Sequence, residues 1–189
     1  MSHETAILSC AGDYVDLCDP DPAHLSIEVV AHALSHLCRF NGHCDRFYSV
    51  ARHSLLVSYI MEIDLNRPEY ALEGLLHDAS ESFLGDVTTM LKPLLPQYKP
   101  IEKNFERVIR ERYRLADVPG LIKVADLRAL KTERDMLLPP TEHEWPVLRL
   151  VSPASMESID YSGIRHVTTS RLDRAYFLGR YFELMEKRK

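Results

Sequence analysis

In the stretch ALEGLLHDASESFLGD, His77 and Asp78 are adjacent and Glu81 follows His77 by four residues. On a helix, adjacent side chains point about 100° apart, so His77 and Asp78 reach one ion only if it lies beside the helix. Glu81 falls on the same face as His77. An imidazole and a carboxylate inside an apolar stretch are costly to bury unpaired, and a divalent cation satisfies both. Alone, the dipeptide reads as a helix cap or an ion pair. It has company, however. His53 lies in SVARHSLLVS and Asp126 in LIKVADLRALKTE, each among apolar helical neighbours. A lone His53 would be a core histidine, and a lone Asp126 would be a costly unpaired carboxylate. Together His53, His77, Asp78 and Asp126 make a two-His, two-carboxylate ligand set that leaves positions on a metal for water and substrate.

These residues need helices to hold them. Ser26 is an N-cap for a helix with Ile27, Val30, Ala31, Leu34 and Leu37 at helical spacing, stopped by Asn41-Gly42. A second helix is predicted from about Ser49 to Ile63, with Val50, Leu56 or Val57, and Ile60 inward. A third opens at Pro68, carries Leu72, Leu75, Leu76, Ala79 and Phe83, and ends at Gly85. Residues 86–100 read as a loop with one helical turn at most. A fourth helix, Ile101–Arg114, buries Ile101, Phe105, Val108 and Ile109. A fifth, Pro119–Leu138, buries Leu121 or Ile122, Ala125, Leu130 and Leu137, and Pro139-Pro140 ends it. Residues 139–169 form a long Pro-bearing excursion around Trp145. Ser170, with Asp173 three residues later, caps a last helix. Residues 1–24 lack helical periodicity, and their Gly and Asp-Pro turns suggest a hairpin. The expected fold is all-α: a bundle of about six helices with a short extended N-terminal edge, in a single domain over residues 1–189.

Composition narrows the function. Lys and Arg number 23 against 28 Asp and Glu, a net charge of −5, so nothing favours a nucleic-acid polymer. No run of apolar residues is long enough to span a membrane, and MSHETAILSCAGDYVD has no secretory pattern. The four cysteines form no C-x-x-C pair and read as reduced thiols in a cytoplasmic protein.

The ordered pattern H…HD…D, with all ligands on helices, resembles the HD-domain superfamily of metal-dependent phosphohydrolases. HDASESFLGDVTTMLK is similar to the segment of the 5′-deoxynucleotidase branch in which a Glu three after the HD Asp and an Asp five further on serve catalysis and the sugar. Here those are Glu81 and Asp86. That branch also has an Arg followed by an aromatic residue about fourteen positions before its first metal His, matched by Arg39-Phe40. The resemblance covers about residues 25–138. It departs at two positions. The branch usually has Trp after that Arg and Glu before the first metal His, where this chain has Phe40 and Arg52. Small viral HD enzymes that remove triphosphate from a purine deoxynucleoside triphosphate share the scaffold.

The resemblance implies a divalent ion (Zn, Co, Mn or Mg) on His53, His77, Asp78 and Asp126, activating water for attack on phosphorus. Arg39 would neutralise phosphoryl oxygens, with Lys92 adding a point charge. Glu81 would handle the proton, as base or as acid. Asp86 would accept the sugar 3′-hydroxyl, and Phe40 would disfavour a 2′-hydroxyl. The expected substrate is a deoxynucleoside 5′-monophosphate, with the triphosphate as alternative, in a homodimer or larger homo-oligomer. Each of Arg39, Lys92 and Asp86 also has a plain reading, as a surface cation, a loop charge and a turn former. Arg52 is expected to snorkel outward into an exposed pair, or else to edge the mouth of the site, where it would favour a more charged substrate. Two rival readings are a structural zinc site built from His32, His36, Cys38, His43 and Cys44, and an inert nucleotide-binding module; intact Glu81 beside intact ligands argues against the second.

Overall fold

A computed structural model describes residues 4–188; the ends of the expected domain, residues 1–3 and 189, lie outside the described residues. The N-terminal edge is a two-stranded antiparallel hairpin, β1 (Ala6–Leu8) and β2 (Tyr14–Asp16), with Ala6 opposite Asp16. Ser26 caps α1 (Ile27–His36), as its position predicts, by accepting from Val29 N. A short 3-10 turn, Arg39–Gly42, leads towards α2 (Val50–Tyr59), which continues through a π-helical turn over Ile60–Asp64. There follow α3 (Ala71–Leu76), α4 (Glu81–Leu84), α5 (Tyr98–Tyr113), α6 (Pro119–Leu137), α7 (Met156–Ser162) and α8 (Ser170–Lys187). The fold is all-α with a short extended edge.

Helix α2 is the hub. Every residue from Val50 to Ser58 is buried, so this helix has no solvent face. One apolar cluster joins α1, the start of α2, α3, α5 and α8 through Leu34, Val50, Leu75, Phe105 and Phe177. A second joins the far side of α2 to α6 and α7 through Leu56, Val57, Ala125, Ala129 and Ile159. Helix α3 lies so close to α2 that a Cβ at Gly74 would meet Met61 Cγ at 2.9 Å and Ser58 Cα at 3.2 Å. This approach places His77 beside His53.

Several expected boundaries shift. The third helix is two, because the His77 ring takes a carbonyl of its own helix. His77 Nδ1 lies 2.8 Å from Gly74 O, the acceptor that would otherwise bond Asp78 N. The chain tightens through i→i+3 bonds, Ala79 N to Leu76 O and Glu81 N to Asp78 O, and then restarts as α4. The 139–169 excursion holds α7, capped by Ser155 and ended by Gly163 at φ +67°. Helix α5 starts three residues before the expected Ile101. Thr169 rather than Ser170 caps α8, and Asp173 turns inward instead of completing the cap. On α6 the buried line is Ala125, Ala129, Thr132, Glu133 and Leu137, with Leu130 only half-buried. On α8, Phe177 and Leu184 enter the core while Leu172, Tyr176 and Phe182 stay exposed. Among the described residues no helix is long and apolar enough to cross a membrane, and all four cysteines are free.

Candidate metal centre

Two histidines on neighbouring helices face each other, His53 Nε2 3.3 Å from His77 Nε2. Each ring is held from behind. His77 Nδ1 points at the Gly74 carbonyl, which only accepts, so Nδ1 carries the proton. His53 Nδ1 lies 2.6 Å from Glu133 Oε1. Burial pushes the Glu133 carboxyl up, but His53 and Arg39 outweigh it and hold it at about 2, so it too is an acceptor. Both rings therefore present Nε2 to a common point.

Two carboxylates meet them there. Asp78 Oδ2 lies 3.0 Å from His77 Nε2 and 3.5 Å from His53 Nε2, and Asp126 Oδ1 lies 3.5 Å from His53 Nε2. Ligand atoms of His53, His77 and Asp126 all lie within 4.8 Å of one another. Burial raises the Asp78 and Asp126 carboxyls, but the histidines overcome it and hold both well below the usual carboxylate range. Burial and the Arg39 charge push His53 down; Glu133 and Asp126 win, raising it to about 10. The cluster thus gathers carboxylates around two facing imidazoles, a set of donors that could hold a divalent cation. Lys123 Nζ reaches Asp126 Oδ2 at 3.0 Å, an ion pair not expected from the sequence. A cleft of about 240 Å³ opens beside the cluster, lined by His77, Ser80, Ile109, Ile122, Lys123 and Asp126 among others.

Arg39 reaches this region from the 3-10 turn, where its N–H donates to Tyr48 O at 2.9 Å. Its Nη2 donates to Glu133 Oε2 at 3.0 Å, while its Nε is buried without a protein partner. Asp78, Asp86 and Asp126 all act on its charge, so Arg39 belongs to the site rather than to the open surface. Phe40 follows at φ +53°, a left-handed backbone conformation that costs a bulky residue on the order of 1–2 kcal/mol. The Arg39 Cζ stands 5.4 Å from its ring centre.

Glu81 opens α4 and is buried, with Oε2 lacking a protein partner. Burial, then Asp78 and Asp86, push its carboxyl up to about 10. Asp86 is raised as well, by burial first and with Asp78 adding, against Arg39. Lys92 donates to Glu102 Oε1 at 2.6 Å and lies 5.8 Å from the Tyr98 ring centre. The Tyr98 hydroxyl is a third buried polar atom without a protein partner. Arg39 Nε, Glu81 Oε2 and Tyr98 Oη are thus three buried polar atoms without a protein partner.

Arg52 is in neither expected place. It is buried at 4 % exposure, bonded through Nε to Asp173 Oδ1 at 2.8 Å, through Nη1 to Ser162 O at 2.8 Å and through Nη2 to Asp173 and Thr168. Asp173 is fully buried, so the pair forms where no water competes, and Arg52 neither snorkels nor edges the site. The zinc-module residues are not brought together either. His36 Nδ1 bonds His32 O at 2.8 Å, the two rings lie 4.4 Å apart, and Cys44 Sγ turns to Arg39 O. Among the described residues, no three ligand atoms of that set come within reach of one ion.

Sequence reasoning missed Glu133. It lies seven residues, two helical turns, after Asp126 and so on the same face. That spacing in an apolar helix was its only local signal.

The class defined so far is an all-α protein with a buried His/carboxylate cluster, and two relatives share its sequence. The chain is 39% identical over 166 residues to the "Uncharacterized protein YfdR" of Escherichia coli K12, covering 86% of each chain. It is 33% identical over 146 residues to the "Uncharacterized protein RCAP_rcc00048" of Rhodobacter capsulatus, covering 71% of this chain and 74% of the other. No family model matches. The chain belongs to the family of these two proteins.

Proposed function

We propose that this protein is a metal-dependent phosphohydrolase acting on 2′-deoxynucleotides, with deoxynucleoside 5′-monophosphates as primary substrates. The observation that carries the reading is the convergence of His53, His77 and Asp126, with Asp78 Oδ2 close to both rings, bordered by a half-buried arginine and a buried glutamate. Both rings have Nδ1 committed to an acceptor behind them, as metal-ligating histidines do. His53, His77, Asp78 and Asp126 would hold the ion. A bound divalent cation supplies Lewis acidity and a water that ionises near neutral pH.

The chain's own residues supply the rest. Arg39 has its Nε free and its Nη2 braced, so the guanidinium can meet a phosphoryl oxygen without losing its hold on Glu133. Glu81, whose carboxyl is pushed up by burial and then by Asp78 and Asp86, would handle the proton, as base for the water or acid for the leaving oxygen. Asp86 borders Arg39 and can accept a sugar hydroxyl. Phe40, which follows Arg39, is the residue that would pack against the sugar C2′.

Burial of Arg52 removes the cation that would have favoured a triphosphate, which supports the monophosphate reading. Phosphate release from ribo- and deoxynucleotides, as mono- and triphosphates, with Zn²⁺, Co²⁺, Mn²⁺ and Mg²⁺ tests it. Release from deoxynucleoside monophosphates is expected. No release from any of them under any metal would refute the reading, and release only from triphosphates would move it to the triphosphohydrolase.

A further inference from the structure

Glu133 is fully buried and accepts from three side chains at once. His53 Nδ1–H and the Tyr48 hydroxyl both reach Oε1, at 2.6 and 2.9 Å, and Arg39 Nη2 reaches Oε2 at 3.0 Å. The donors come from three places: His53 from α2, Tyr48 from the segment before it, and Arg39 from the 3-10 turn. Asp126, on the opposite side of the His53 ring, stands two turns back on the same α6 face as Glu133. One helix therefore grips His53 at both ring nitrogens.

We infer that Glu133 is a positioning residue that sets the metal-ligand half and the phosphate-binding half of the site in one register. The inference rests on the phosphohydrolase reading and deepens it. Oxygen Oε1 anchors His53 Nδ1 and so keeps Nε2 turned towards Asp78, Asp126 and His77. Oxygen Oε2 holds Arg39 by one nitrogen and leaves Nε for substrate. A carboxylate is needed because all three partners are donors, and an amide offers one accepting atom where two are used. An outer carboxylate on a metal-ligating histidine typically changes metal affinity 10–100-fold. Here the same carboxylate also orients the anion-binding cation, so its two oxygens can be separated by substitution.

Glu133→Gln separates them. With two donors meeting at Oε1, the amide oxygen takes that side, and the amide N–H₂ is left facing Arg39. The test uses the full chain, with Zn²⁺ and Mn²⁺ affinity measured by calorimetric titration, inorganic phosphate affinity measured on the metal-loaded protein, and a melting temperature for each variant. Glu133→Ala is expected to weaken metal binding by about 10–100-fold. Glu133→Gln is expected to keep metal affinity within a few-fold while weakening phosphate about tenfold, matching Arg39→Ala, because loss of a charge-assisted contact costs about that much.

Glu133→Ala with wild-type metal and phosphate affinity overturns the inference and leaves the phosphohydrolase reading in place. So does Glu133→Gln losing both affinities in step with its melting temperature, as a merely structural residue would. If Glu133→Ala does not fold, the Gln variant still decides. A folded wild-type protein that binds neither metal refutes the metal-centre reading itself, and this inference with it.

Discussion

Arg52 and Asp173 form a water-excluded ion pair that joins the helix carrying His53 to the C-terminal helix. The Asp173 carboxylate is fully used: Oδ1 accepts from Arg52 and from Thr168, and Oδ2 from Ser49, the N-cap of α2. Gly163 makes room, since a Cβ there would come within 2.5 Å of Arg52 Nη1. Removing one partner of such a pair strands a buried charge, at a cost of about 3–5 kcal/mol. Asp173→Ala is therefore expected to lower unfolding free energy by that amount in urea titrations. A double replacement by apolar residues of similar volume should recover much of it. A loss below about 1 kcal/mol for Asp173→Ala would show that the pair stabilises little.

Glu81→Gln should bind metal and fold like the wild type yet lose about 10²–10⁴-fold in kcat, the range for removing a general acid or base. The side chain is one turn from His77 but its Oε2 meets no protein partner, so its loss should leave the ligand set in place. Steady-state rates beside a calorimetric metal titration make the check, and undiminished turnover would remove Glu81 from the chemistry.

Metal should stabilise the fold, because Asp78, Asp126 and the two histidines gather only in the folded chain. At free metal one hundred times its Kd, the gain is about 2.7 kcal/mol. For a chain of this size that raises Tm by roughly 5–10 °C. Scanning calorimetry with added Zn²⁺ and with a chelator reads the difference. His53→Ala should show none of it, and a Tm indifferent to metal in the wild type would count against the site.

Phe40 is expected to set sugar preference. Its ring follows Arg39, and replacing it with Ala opens the space a 2′-hydroxyl would need. The ratio of kcat/KM for dAMP over AMP should fall about tenfold in Phe40→Ala, as expected for deleting a contact of this size. An unchanged ratio would assign discrimination elsewhere.

Much of this architecture is legible locally. The Ser26 cap, Gly85 and Pro139-Pro140 mark real boundaries because each acts through its own backbone, whereas the first helix ends at His36, before the expected Asn41-Gly42 stop. His53, His77, Asp78 and Asp126 stand out because metal-type side chains in apolar helices need a reason. Long-range partners were hidden. Nothing near Arg52 announces Asp173, which lies 121 residues away, so a surface reading of Arg52 was the local default. The split between α3 and α4 follows from the His77 ring taking the Gly74 carbonyl, a competition that apolar spacing does not reveal. Helix α7 did carry signals, Ser155 and Gly163, but they lay inside a Pro-bearing stretch that looked like loop. Glu133 was masked because a glutamate on a helix ordinarily faces water.

The account stands on the proposal that His53, His77, Asp78 and Asp126 hold one ion. Native mass spectrometry of the full chain, titrated with Zn²⁺, measures this directly. One bound ion per chain is predicted for the wild type and none at equal metal concentration for Asp126→Ala, which removes a ligand from the far side of His53. Uptake of the ion by Asp126→Ala as readily as by the wild type, or no uptake by either, would contradict it.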